Sequence, residues 1–428
     1  MDKQYINSVL HQELILAMGC TEPAACALAG AKAAELFAGK PGKVVVKTTR
    51  DILKNAMGVS IPGFHKKGVG AAVALGVAIA DTSLGLDILS HISETQKQEA
   101  DALSIDVELV EEPTPLYIRV ELFGKEHSSV AVVSGSHTNF SHLEQDGHVL
   151  KHEDVVGVSA KEIDLSLLSA MTVGDVIGYA TDMPQEIEDL LLQAIDTNLK
   201  ISQESLNNPY GLSVGKTLMK DFHYPPENYL EALNVGAALA AGGSDARMAG
   251  CQLPVVINSG SGNQGITLTV PLAVVAGYLK KTPKETAQAL CIAELIGLVL
   301  TAIKGRLSAQ CGAFTAATGM GCGLAWMQGG DEAVLERVIK NMVGDLAGVI
   351  CDGAKMTCAL KIYSCVQSAY LASKLALDGL APTPECGIIG EDAKKTLGNL
   401  SQLTHDGMEP TDKTILSIML GKKEKQES

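Results

Sequence analysis

The chain has 428 residues, 46% of them hydrophobic and 19% charged, which is too apolar for a disordered protein. At about 150 residues per domain the length suggests roughly two or three domains. The net charge of -15 argues against a nucleic-acid-binding surface, which needs a basic stripe, and against an anionic membrane surface. Aromatics are 4% and glycines number 43, a density of small residues that suits close-packed helices rather than a β-sandwich.

The opening segment spaces Ile6, Val9, Leu10, Leu14 and Met18 as an amphipathic helix. It lacks the charged-then-apolar order and cleavage site of a signal peptide, so a cytoplasmic protein is expected. Two helices broken at Gly19-Cys20-Thr21 are read over residues 1–40, the second with Thr21 as its cap and Glu22-Pro23 in its first turn. A strand follows at 43–49. Asp51 caps a short helix, 57–70 is a loop punctuated by Gly and Pro, and 69–80 is a buried Ala-rich helix. Strand patterns at 107–111, 117–123 and 128–135 lead to a turn at 137–147 with a further hairpin arm.

From about residue 160 the period changes to three and four. Helices are expected at 163–180, 184–203, 211–221, 226–241, 266–280, 284–304, 308–327, 331–349, 353–377 and 391–404, with a β-biased interruption at 253–265. The apolar run Ala287–Ile303 contains Gln288 and Glu294 and is shorter than a membrane span, so it reads as a buried helix. The fold class is therefore α+β. A small α/β domain with the N-terminal helices covers 1–160, its Cys20 loop facing the other domain. A large all-α domain covers 161–428.

Several segments carry chemistry. GSGNQG at 260–265 matches the dinucleotide pattern G-x-G-x-x-G, but no second strand ending in an acid follows about 20 residues on. A plain glycine turn and an anion-binding turn remain, the latter using N–H groups at a helix start with Ser259, Ser261, Asn263 and Gln264 as further donors. Ten cysteines in a long chain without a signal peptide are not a disulfide framework. Cys351 and Cys358 are seven apart and Cys311 and Cys322 eleven apart, spacings that put each pair on one helix face. Neither is a C-x-x-C zinc knuckle. Buried structural thiols and a metal-binding set both fit. Cys20 stands just before a helix start, where the dipole lowers a thiol pKa; a chance break between helices fits equally. His137 and His142 follow a strand in a polar loop, and Arg247 and Arg306 sit in apolar surroundings, either paired or aimed at a carboxylate.

GCTEP at 19–23, MGVSIPG at 57–63, SHTN at 136–139, SDARM at 244–248, NSGSGNQGIT at 258–267, LSAQCGA at 307–313 and ICDGAKMTCALK at 350–361 occur in this order. With these motifs the chain resembles, over nearly its full length, the L-cysteine desulfidase family. Its helical half is similar to the α chain of bacterial iron–sulfur L-serine dehydratases. The resemblance implies a lyase that makes pyruvate and ammonia from L-cysteine or L-serine with a 4Fe-4S cluster. It implies Cys311, Cys351 and Cys358 as cluster ligands and Cys20 as catalytic base. Cys322 falls where the resemblance requires no cysteine. One departure is Phe64-His65-Lys66-Lys67 after MGVSIPG, where small residues are more usual.

Three thiolates on a four-iron cube leave one iron open as a Lewis acid towards the substrate's β-thiol or β-hydroxyl. His137 is an alternative base to Cys20. Arg247, the 259–264 turn, Thr138 and Asn139 are expected to hold the substrate carboxylate. The other readings are L-serine dehydratase, a cluster-bearing sensor, and a structural protein with buried thiols. A small amino acid is the expected partner, with no nucleic acid and no membrane; an Ala/Gly-rich helical surface is compatible with a homodimer.

Overall fold

The computed structural model describes residues 1–90, 92–112, 114, 116–154, 165–306 and 308–427. The expected boundary at 160–161 and the start of the helix expected at 163 lie outside the described residues. The class is α+β, as the sequence implied.

In chain order the first part comprises α1 (Lys3–Glu13), β1 (Leu16–Ala17), α2 (Thr21–Leu36), β2 (Lys43–Thr48), α3 (Arg50–Ala56), α4 (Gly68–Ile79) and α5 (Glu94–Asp101), then β3 (Ile105–Leu109), β4 (Tyr117–Phe123), β5 (Ser128–Ser134), β6 (Phe140–Gln145) and β7 (His148–His152). Six strands form one sheet in the order β3-β2-β4-β5-β6-β7. Only the β2–β3 pair is parallel; α3, α4 and α5 lie between these strands in the chain. The others are antiparallel, as short connections allow.

The second part holds α6 (Val173–Thr181), α7 (Gln185–Asn207), α8 (Val214–Leu218), α9 (Tyr229–Met248), β8 (Val255–Val256), α10 (Gly262–Tyr278), α11 (Pro283–Lys304), α12 (Gly312–Met327), α13 (Glu332–Leu346), α14 (Cys358–Leu377), α15 (Ala393–Gln402) and α16 (Glu409–Glu427). The helix expected to end at 241 continues through Gly242, Gly243 and Arg247. The two glycines are weak helix formers, but a Cβ on Gly242 would lie 2.2 Å from Ser205 Oγ. Packing against α7 requires the glycine and overrides its propensity.

α11 is 22 residues long and apolar enough to cross a bilayer, longer than the run read from sequence. Of its most apolar window, 83% is buried inside the protein, as expected for a core helix.

The hydrophobic cores cut across the sequence grouping in two places. One core contains α2, α4 and the sheet interior, including Val46, Ile118, Val120 and Val133, and it also takes Leu416 from α16. The other contains the helical half and also Ile6, Val9 and Leu10 of α1. β1 pairs with β8, so the first strand is likewise tied to the helical half. The chain therefore passes from one core to the other between Ala17 and Ala24, and Cys20 lies at that crossing.

α2 and α4 pack backbone against backbone. A Cβ on Gly76 would lie 1.9 Å from the Ala27 carbonyl oxygen, and one on Gly30 would lie 2.6 Å from that of Val73. Gly76→Ala is expected to destabilise the protein by about 3 kcal/mol, since neither backbone can give way. A urea denaturation midpoint measures this; an unchanged midpoint would contradict the packing.

Candidate active site

Between the two cores lies a cavity of about 340 Å³, a size suited to a small-molecule ligand. Its wall is assembled from segments far apart in the chain. Cys20 and Glu22 come from the start of α2, Lys54 and Asn55 from the end of α3, and His137 from the β5–β6 loop. Arg247 comes from the end of α9, and Ser259, Ser261, Asn263 and Gln264 from the turn into α10. Lys304, Arg306 and Cys311 precede α12, while Cys351 and Cys358 flank the loop into α14.

The three cysteines stand on loop ends and helix starts, not along helix faces as their spacing suggested. Cys311 is the N-cap of α12, and Cys358 is the first residue of α14. Cys351 precedes a break made by Gly353 at φ +90°, where a Cβ would strike the Lys54 carbonyl oxygen at 2.3 Å. Hydrogen bonds from Cys311 N to Val349 O (2.9 Å) and from Cys351 N to Ala309 O (2.6 Å) tie the two cysteine loops together. The Cys311 and Cys351 thiols hydrogen-bond to each other. That bond and burial hold Cys311 well above the usual thiol range. The same bond, with Lys54 and Lys304 nearby, pulls Cys351 down. Burial pushes Cys358 up, opposed by the Lys355 N–H, which donates to its sulfur at 3.4 Å. All ten cysteines are free. Cys322 does not line the cavity; it is buried inside α12 with its thiol 3.8 Å from the Leu335 carbonyl oxygen.

Cys20 is the N-cap of α2 and only 4% exposed. The helix dipole was expected to lower its pKa. Burial dominates instead and pushes the thiol up to about 12, with the Arg247 guanidinium as the main opposing influence. Arg247 also donates from Nη1 to Asn263 Oδ1 at 3.3 Å, and its Nε has no hydrogen-bond partner among the described residues.

The 258–264 segment is a turn onto the N-terminus of a 17-residue helix. Ser259 and Gly260 have φ of +53° and +76°. The Ser259 hydroxyl donates to Asn258 Oδ1 at 2.7 Å, and Ser261 Oγ accepts from Gln264 N at 3.4 Å. Gln264 Oε1 accepts from Thr315 Oγ1 at 3.0 Å. These side chains are therefore largely engaged in holding the turn. Asn258 donates in turn to Glu294 at 2.6 Å.

Glu294 is 0% exposed, and burial raises its carboxyl from 4.5 to about 8. Because the folded-state pKa is raised, folding binds an extra proton between those values. Stability is full below about pH 4.5 and declines as pH rises through 8, on the order of 1 kcal/mol per pH unit. Glu294→Gln keeps an acceptor for Asn258 and should flatten that decline. Urea denaturation of both proteins at pH 6 and pH 8 tests this; parallel declines would remove Glu294 as the source.

Not every predicted site residue arrives. Thr138 is exposed and Asn139 donates from Nδ2 to the Ser134 carbonyl at 3.2 Å, closing the β5–β6 turn; neither lines the cavity. Of that loop, Gly135 and His137 do. His142 instead pairs with His152 on the sheet, their Nδ1 atoms 3.2 Å apart. Arg306 both lines the cavity and pairs with the buried Glu13.

Sequence reasoning missed Glu22, Lys54, Asn55 and Lys304. Lys54 is 1% exposed, ion-paired with Asp412 of α16 and 3.8 Å from Asp51. A lysine inside the short apolar helix DILKNA was the available signal. Among the described residues, one trio has its ligand atoms within 4.8 Å of one another: His223, Glu227 and Glu231, outside the cavity. Glu231 there accepts the N–H groups of His223 and Glu227, each at 2.7 Å, and so braces the turn before α9.

Over residues 83–417 the chain matches the model of the serine dehydratase alpha chain family. It is 36% identical to a UPF0597 protein of Oleidesulfovibrio alaskensis, covering 98% of each chain. It is 37% identical to one of Parabacteroides distasonis, again over 98% of each, and 35% identical to one of Clostridium perfringens over 99% of each.

Proposed function

The chain belongs to the serine dehydratase alpha chain family, and from that premise we propose a cytoplasmic lyase that converts L-cysteine to pyruvate, ammonia and sulfide. L-serine, giving pyruvate and ammonia, is the second substrate reading. The observation that carries the proposal is the convergence of Cys20, Arg247, Cys311, Cys351 and Cys358 on one cavity.

The donor set fits a 4Fe-4S cluster. Three thiols share one wall, and the buried Lys54 and Lys304 lie close enough to act on the Cys351 thiol. Three thiolates bring three negative charges, and the two buried ammonium groups offset them. A single ion, with metal–sulfur bonds of about 2.3 Å, needs its ligand atoms closer together than these three sulfurs stand. Cys311, Cys351 and Cys358 would hold the cluster, and its open iron would supply Lewis-acid activation of the β-thiol or β-hydroxyl.

The chain's own residues do the rest. Arg247 and the N–H groups of the 259–264 turn bind the substrate carboxylate, at the positive end of α10. Cys20 removes the Cα proton; His137 is the alternative base. As the Cα–H and Cβ–S bonds break, the Cα–Cβ double bond forms and sulfide leaves. The resulting 2-aminoacrylate tautomerises to the imine, and water releases ammonia and pyruvate. Arg247 and the turn donors stabilise the charge that builds as the proton departs.

The deciding experiment compares kcat/KM for sulfide release from L-cysteine with that for pyruvate release from L-serine, using anaerobically reconstituted protein. A higher value for L-cysteine supports the desulfidase reading. A higher value for L-serine keeps the mechanism and changes the substrate.

A further inference from the structure

We infer that Glu22 is the subsite for the substrate's α-ammonium group, and so the residue through which the cavity selects an amino acid over its deaminated analogue. The inference rests on the amino-acid reading above and adds the recognition element that reading lacks.

The charge inventory points to it. Lys54, Arg247, Lys304 and Arg306 line the cavity, and Glu22 is the only carboxylate among the described residues that do so. A zwitterionic amino acid brings one negative and one positive group. The cations and the α10 turn answer the first. Only Glu22 answers the second.

An acid in the first turn of a helix has an ordinary role, as partner to the dipole. That role does not fix where the side chain points. Glu22 is fixed. Asn55, itself buried at the end of α3, donates from Nδ2 to Oε1 at 3.0 Å, and Thr21 Oγ1 lies 3.2 Å from Oε2. Thr21 Oγ1 also reaches the Gly260 carbonyl at 3.0 Å, tying the start of α2 to the carboxylate-binding turn. A carboxylate offers about four lone-pair sites. At most two are used here, because Thr21 has one hydroxyl hydrogen to divide between Glu22 and Gly260, and acceptor capacity is left on a side chain that faces the cavity.

Position agrees with chemistry. Glu22 is two residues from Cys20, and its charge acts on the Cys20 thiol. The ammonium is bonded to Cα, so a site for it beside Cys20 brings the Cα–H bond to the base. Keeping the nitrogen protonated also withdraws electrons from Cα and makes that proton easier to remove.

Two thiols that lack one half of the substrate serve as probes. Cysteamine has the ammonium and no carboxylate; 3-mercaptopropionate has the reverse. Anaerobic calorimetry reads their binding to reconstituted wild type and Glu22→Gln, with a sulfide assay on the same samples to confirm that neither probe is turned over. The variant should bind cysteamine roughly 10- to 100-fold more weakly, with 3-mercaptopropionate unchanged within about threefold. Equal weakening of both probes, or of neither, would overturn the assignment. Should Glu22→Gln fail to fold or to hold iron, Asn55→Ala keeps the charge and removes its anchor. It should weaken cysteamine alone, and weakening of both would overturn the assignment. Failure of the amino-acid reading shows separately, as a wild type that turns over neither L-cysteine nor L-serine, and it overturns both claims.

Discussion

Cys351→Ala is expected to give a folded protein that holds less than one iron per chain, where reconstituted wild type holds about four. Turnover should fall by roughly 10³-fold or more, because leaving-group activation goes with the iron. Cys351 is the most sensitive position because Lys54, Lys304 and the Cys311 thiol all favour its thiolate, the form that binds metal. Losing one half-buried thiol should cost only about 1 kcal/mol of stability. Cys322→Ala is the matched control: its thiol is buried inside α12, away from the cavity, so iron content should not change. Iron analysis and the visible spectrum of both variants check the pair. Full iron in Cys351→Ala would remove it from the ligand set.

Cys20→Ala should retain the iron and lose turnover by roughly 10³-fold, the usual scale for a general base. The pH profile adds a second test. Burial pushes the Cys20 thiol up to about 12, so the thiolate fraction grows with pH throughout the neutral range. Turnover should therefore keep rising from pH 7 to pH 9. A histidine base, with an ordinary pKa of about 6.5, would level off below that range. A plateau from pH 7 upward, together with loss of activity in His137→Gln, would transfer the role to His137.

The strands were legible because they alternate and are bounded by turn residues: YIRVELF became β4 residue for residue. VELVE was read two residues late, since β3 is largely exposed and carries no clean inside–outside pattern. The loop positions of Cys311, Cys351 and Cys358 were hidden because an interval of seven reads equally as two helical turns or as a loop. Only the positive φ of Gly353 decides between them. The cationic half of the cavity was hidden more deeply. Lys54 and Lys304 lie 250 residues apart, and each alone reads as a charge at the end of an apolar helix. Glu22 and Thr138 erred in opposite directions. Glu22 had a sufficient local explanation in the helix dipole, and Thr138 was credited to the SHTN motif, of whose four residues His137 alone lines the cavity.

The central claim is that this cavity removes a Cα proton and a β-substituent from one α-amino acid. It is tested most directly by product analysis under anaerobic conditions, on protein shown to contain about four irons. The account predicts equal amounts of pyruvate and ammonia from L-cysteine or L-serine, with matching sulfide from L-cysteine. Iron-loaded protein that forms pyruvate from neither substrate would contradict it.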